Sequence, residues 1–193
     1  MPLLQTIGNA TARAWRRYGP TTAAADYELI STTVLGSSAA SVTFSGLGTS
    51  AAAYKHLQIR YTAKSVSSMF DVTMQINGDS GSNYAWHILY GNGSSALSAA
   101  GTSQTSARVG NAMQSDVSNG FATSIVDILD FSNTSKNKTV RSLYGNVGSA
   151  GNTYVGLWSA AWLSTSAVTS LVFGSSSAFN FVTGSRFSLY GLK

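Results

Sequence analysis

From residue 27 onward the chain alternates apolar and polar residues with a period of two, and this alternation limits its folds more than any other feature. The stretch HLQIRYTAK (56–64) places Leu57, Ile59, Tyr61 and Ala63 on one side and His56, Gln58, Arg60, Thr62 and Lys64 on the other. DVTMQIN (71–77) sets Val72, Met74 and Ile76 against Asp71, Thr73 and Gln75. A two-residue period with one polar side marks antiparallel strands that have one wet face. Further strands are predicted at 27–35, 40–46, 84–90, 123–131, 139–145, 154–163, 168–173 and 186–192. The Gly/Asn/Asp run NGDSGSN (77–83) and the run SNTSKNK (132–138) read as turns between strands. Segment 91–120, rich in Gly, Ser, Asn and Gln, reads as a long loop carrying one short strand. No amphipathic helix interrupts the series. The fold expected is all-β: a two-sheet antiparallel β-sandwich, jelly-roll-like.

The 193 residues suffice for one domain and a real core. The absence of Cys excludes a disulfide framework and thiolate metal sites. Charged residues make up 10% of the chain, 12 basic and 7 acidic, for a net +5. Beyond residue 17 the basic residues are scattered and form no stripe, which argues against nucleic acid as a partner, because phosphates demand clustered cations. A Ser, Thr, Asn, Gly and Tyr surface suits large assemblies and adhesion. No apolar run has the roughly 18–20 residues of a membrane span, so membrane insertion is not expected. MPLLQTIGNA has no basic start followed by an apolar run, so the expectation is a chain made in the cytoplasm and retained there or carried out within an assembly.

Catalytic patterns are sparse. His87 lies between Trp86 and Ile88 and His56 on the polar side of a strand; no serine sits in a G-x-S-x-G elbow. Asp127 and Asp130, three apart on one strand, fall on opposite faces unless the strand bends. Asp127 is expected to be a buried carboxylate paired with Arg141, and Asp130 to tie down the 132–138 loop. No carboxylate pair suited to glycoside hydrolysis stands out, so a carbohydrate hydrolase is the weakest reading and no catalytic residue is assigned. The single carboxylate of NGDSGSN argues for a tight turn rather than a calcium loop. No metal site and no cofactor are expected. Tyr154, Trp158 and Trp162 share one face of a strand, with Val155 and Leu157 on the other. Such a stripe can stack on sugar rings, or fill a core or subunit interface.

Before residue 27 the character changes. IGNATARAWRRYGP (7–20) holds three arginines and no acid. Leu3, Leu4, Ile7, Trp15 and Tyr18 are too few for a core and can bury surface only against another protein. Arg13, Arg16 and Arg17 suit acidic grooves on that partner. Residues 1–26 are therefore expected to be an extended anchoring arm, with Pro20 and TTAAA as linker, and residues 27–193 the sandwich domain.

Several phrases resemble a family of small virion structural proteins of tailed bacteriophages: YELISTTVLGSSAASVTFSGL, YKHLQIRYTAK, INGDSGSNYAWHILYGNG, DILDFSNTSKNKTVRSLYGN and GSRFSLYGLK. IGNATARAW is similar to the N-terminal peptide of many phage tail appendage and fibre proteins. The resemblance implies a sandwich carried on a phage particle, often as a trimer, with no enzymatic activity and no catalytic residues to transfer. It leaves two positions open. One is a small tail fibre or appendage facing a host surface such as a glycan; the other is a head decoration, or cement, protein on the major capsid protein.

Overall fold

The computed structural model describes residues 27–148 and 153–193. The expected anchoring residues Leu3, Leu4, Ile7, Arg13, Trp15, Arg16, Arg17 and Tyr18, and with them the 1–26 arm, lie outside the described residues.

Twelve strands and one helical turn are described: β1 (Tyr27–Val34), β2 (Val42–Phe44), α1 (Leu47–Ser50), β3 (His56–Ala63), β4 (Phe70–Ile76), β5 (Tyr84–Gly91), β6 (Ala96–Gln104), β7 (Ala107–Ala112), β8 (Ala122–Ile128), β9 (Lys138–Asn146), β10 (Tyr154–Trp162), β11 (Leu171–Ser175) and β12 (Arg186–Leu192). They form two antiparallel sheets packed as a sandwich, one of eight strands in the order β1-β12-β3-β8-β9-β10-β5-β6 and one of four in the order β2-β11-β4-β7. Removing the hairpins β5–β6 and β9–β10 leaves β1-β12-β3-β8 facing β2-β11-β4-β7, which in eight-strand counting is 1-8-3-6 over 2-7-4-5. That is the double Greek key of a jelly roll. The two hairpins are additions, and they lie side by side because β10 pairs with β5.

The alternation read from the sequence sorts residues as expected: Leu57, Ile59, Tyr61 and Ala63 of β3 and Val72, Met74 and Ile76 of β4 are all buried. Two aromatic clusters occupy the interior. Under the jelly roll, Phe187 contacts Tyr61 at 5.2 Å, Phe181 at 5.2 Å and Phe173 at 5.6 Å between ring centroids. Under the added hairpins, Trp86 meets Trp158 edge-on at 5.1 Å, and Tyr90 tilts against Tyr154 at 5.9 Å.

Segment 91–120 is not a long loop with one short strand, for it holds both β6 and β7. Strand β6 is the free edge of the larger sheet and is exposed or half-buried throughout, so it has no apolar side to betray it. Strand β7 is irregular because its pairing with β4 slips between Asp71 and Thr73. Val109 and Gly110 there oppose Val72 alone, a bulge centred on Gly110 with φ at 138°. Only glycine fits: a Cβ at this position would lie 2.3 Å from the Tyr61 hydroxyl.

Candidate functional site

The bulge creates a polar cluster. Three residues apart on a regular strand, Arg108 and Asn111 would face opposite ways. The extra residue turns both toward Asp71: Arg108 pairs with its Oδ2, and the Asn111 side-chain amide donates to its Oδ1 at 2.9 Å. Burial pushes the Asp71 carboxyl above the usual carboxylate range, opposed by the charge and hydrogen bond of Arg108 and by Asn111. The Arg108 guanidinium also lies over the Trp86 ring, 4.7 Å from its centroid.

Beside this cluster is a recess of about 250 Å³, open to the surface, between the overhanging hairpins and β7 at the edge of the smaller sheet. The added hairpins supply most of its wall: Trp86, Ile88 and Tyr90 from β5, Ala99 from β6, Tyr144 from β9, and Tyr154 and Trp158 from β10. Asp71, Arg108 and Asn111 of the smaller sheet complete it, with Met69 just before β4. Three buried polar atoms of lining residues have no protein hydrogen-bond partner: Trp86 Nε1, Trp158 Nε1 and Asn111 Oδ1. Their residues are 8%, 5% and 5% exposed. Tyr90 and Tyr154 are half-buried and Ala99 is exposed, so these three stand where the cavity meets the surface.

Of the aromatic stripe singled out in the sequence, all three members face the interior, but they do not act together. Tyr154 and Trp158 line the cavity. Trp162 lies at the far end of β10, and its indole N–H donates to Asp79 Oδ2 at 2.7 Å. Asp79 also accepts from the Gly81 backbone N–H at 2.8 Å and from the Asn83 side-chain amide, so NGDSGSN is a self-bonded turn that holds a core tryptophan. These bonds, that of Trp162 foremost, hold the Asp79 carboxyl below its usual range. Asp71, Trp86, Arg108, Asn111 and Tyr144 were not singled out from sequence. The bulge that gathers the polar residues leaves no mark in a two-residue pattern.

The outward face of the larger sheet carries a second feature. Leu89, Leu157, Leu143 and Ile125 are direct cross-strand neighbours on β5, β10, β9 and β8, and form one straight apolar row. Each is between 40% and 57% exposed. Alongside runs a polar row, His87, Ser159, Arg141, Asp127 and Gln58. The two rows border an open depression of about 610 Å³. His87 is thus a sheet-face residue. Asp127 does face Arg141, at 3.9 Å, and accepts from Gln58 at 2.8 Å, but it is partly exposed on the outer face rather than buried. Asp130 follows the end of β8 and pairs with Lys136, tying down the 132–138 loop as expected. Its backbone N–H donates to His56 Nδ1 at 2.9 Å.

Among the described residues no group of three or more His, Asp or Glu side chains gathers to hold a metal ion, and no helix is long and apolar enough to cross a membrane. No protein-family profile matches the chain, and comparison with curated proteins returns no significant match.

Proposed function

We propose that the chain is a non-enzymatic structural protein of a tailed-phage virion, most simply a small tail fibre or appendage. In this reading residues 1–26 dock on the particle and the sandwich faces outward for host attachment. The observation that carries it is the pair of hairpins added to the jelly roll. The eight-stranded core does not need them, and they build both an outward apolar row and an inward aromatic cavity. Jelly rolls serve as viral capsid and lectin domains. Four of the described carboxylates are tied into hydrogen bonds and ion pairs: Glu28 with Tyr54 and Lys193, Asp71 with Arg108, Asp79 with Trp162, and Asp130 with Lys136.

The occupant proposed for the outer row is a second copy of the chain, in a homotrimer. Four half-exposed aliphatic side chains in register offer roughly 300 Å² of apolar surface, the scale of a patch that carries a function. Apolar centres ringed by polar groups are the anatomy of protein interfaces. Arg141 and Asp127 sit side by side on the flank, so this edge of the face offers both signs of charge to different patches of the neighbouring copies around a three-fold axis.

Purified particles test the reading. A tail appendage is expected in tens of copies or fewer, and its loss should abolish adsorption while heads stay intact. Hundreds of copies, with heads that break on osmotic shock when the protein is missing, would instead make it a head decoration protein. Absence from washed particles would refute both.

A further inference from the structure

We infer that β6, the free edge of the larger sheet, pairs antiparallel with β6 of a second copy of the chain, joining two eight-stranded sheets across a two-fold axis. An edge strand leaves a row of backbone N–H and C=O groups without a strand partner, and proteins ordinarily blunt such edges with short strands, charges, proline or bulges. Three of the four sheet edges described here are blunted. Strand β2 has three residues. Strand β1 carries Glu28, and its pairing with β12 slips between Leu29 and Ser31. Strand β7 carries Arg108 and the Gly110 bulge. Strand β6 lacks these devices over most of its length. From Gly91 to Ala107 the chain has no charged residue and no proline. Ala96–Gly101 pairs with Gly91–Trp86 without a break, and the register slips only beyond it, where Ser103 has φ at 52°.

Approach to this edge is open. The smaller sheet ends at β7, which packs across β8, β9 and β10 and only touches β5, so β6 overhangs it. Every residue of β6 is exposed or half-buried.

Chemistry selects a second copy as the occupant. An uncharged strand meets its own copy without like-charge repulsion, and two identical antiparallel strands are self-complementary about a two-fold axis. The side chains along Ala96–Gly101 are small except Leu97, which stands opposite Tyr90 on the inner side and is 39% exposed. Setting Leu97 over Ala99 of the second copy, and by symmetry the reverse, covers both leucines and places Ser98 on the axis. Ala96 then faces Ala100 on the outer side, so no large side chains collide. Ser98 is also the cross-strand neighbour of Leu89, so the pairing brings the two outer apolar rows end to end. The contact uses the edge and not the face of that row, so it stands or falls separately from the homotrimer and from the virion reading.

The isolated full chain tests it. One strand pair buries less than the roughly 1,200–2,000 Å² of a standard interface, so the association is expected to be reversible and is read by sedimentation equilibrium at about 0.5 mM. The double variant Ser98→Asp/Ala100→Asp places four carboxylates on the outer side of the joint, the two at 98 directly opposed, and should weaken this association at least tenfold. Both positions are exposed, so circular dichroism should show the subunit fold kept. The chain has no Cys, which makes a single introduced thiol a direct reporter. Directly opposed strand residues have Cα atoms about 4.5–5.5 Å apart, within disulfide reach. Under mild oxidation Ser98→Cys should therefore link into a dimer at least ten times faster than Thr134→Cys, an exposed position on the 132–138 loop. Self-association that is absent, or unchanged in the double variant, would overturn the inference, as would linkage of Ser98→Cys no faster than that of Thr134→Cys. Unchanged self-association together with failure of the double variant to enter particles would assign the edge to another virion protein instead.

Discussion

Gly156 lies in the middle of β10, facing inward beneath the ring of Tyr144. A Cβ built there falls 2.6 Å from Tyr144 Cε1, 2.8 Å from Tyr90 Cβ and 3.0 Å from the Leu89 carbonyl oxygen. Carbon pairs rest at about 3.5–4.0 Å, so the added methyl intrudes by roughly 1 Å. The surroundings have little room to give. Leu89 O belongs to backbone fixed by β5–β10 pairing, and Tyr144 is buried against Trp158. Overpacking of this kind costs about 1–3 kcal/mol, and the stiffer unfolded chain returns about 0.4–1. Gly156→Ala should therefore lose about 1–2 kcal/mol and melt roughly 2–8 °C lower, at about 2–4 °C per kcal/mol for a chain of this size. Gly145, on the adjacent strand but facing outward, is the control. Its nearest atom to a new Cβ is Tyr154 O at 3.8 Å, an ordinary contact. Gly145→Ala should be neutral or raise the melting point slightly. Thermal unfolding followed by circular dichroism and urea titration measure both. If Gly156→Ala melts at or above Gly145→Ala, the account of how β10 makes room for Tyr144, and hence of how the cavity wall is set, is wrong.

Other expectations concern the outer face, the carboxylates and the arm. Leu157→Asp puts a charge at the centre of the apolar row, where the leucine is 53% exposed. Sedimentation equilibrium should show the oligomer dissociating while the melting point of the subunit holds; an unchanged oligomer would remove this face from the assembly. Asp79 and Asp130 have folded pKa values below their ordinary 3.8. Their stabilisation is therefore complete above that value and is lost as pH falls through the folded pKa. Asp71 works in the opposite direction, because its raised value makes its contribution decline as pH rises above 3.8 toward that folded value. Asp79→Asn should flatten part of the acid limb of a stability–pH curve, and an unaltered limb would refute the assignment. A chain lacking residues 1–25 should fold and melt normally yet fail to enter particles; incorporation at the level of the full chain would refute the anchoring arm.

The sandwich was legible because most strands bury one face and expose the other, which writes a period of two into β3, β4, β8, β9 and β10. The same rule hid β6, where an overhanging edge strand is exposed on both sides, and β7, where the bulge breaks the period. It also concealed Lys138. Read as the end of a polar turn, this lysine is 1% exposed, and its ammonium donates to the carbonyls of Asn133, Lys136 and Thr165. A buried cation satisfied by backbone oxygens from two loops has no signature in residue type or spacing. The cavity was half legible. Tyr154 and Trp158 stood out as a stripe, but their polar companions come from strands whose approach depends on register and on one glycine.

The unequal sheets explain why the largest side chains gather where they do. Eight strands lie against four, and β7, the edge of the smaller sheet, packs across β8, β9 and β10 but only touches β5. Beyond β7 the inner face of the added hairpins has no sheet opposite it, so the space must be filled from one side. Two tryptophans and three tyrosines do so, where phenylalanines packed among Val, Ile, Leu and Met fill the space between the paired sheets. Packing alone would favour Phe or Leu in such a place, since these bring no polar atom that needs a partner. Instead Trp86 spreads the edge of its indole over the Gly101 backbone of β6, where a Cβ would lie 2.7 Å from the ring, so the edge strand and the aromatic layer are fitted to each other. The overhang therefore does more than extend the jelly roll. It sets an aromatic layer beside the Asp71–Arg108 pair and closes it with the edge strand β6, whose Gly101 gives Trp86 its place.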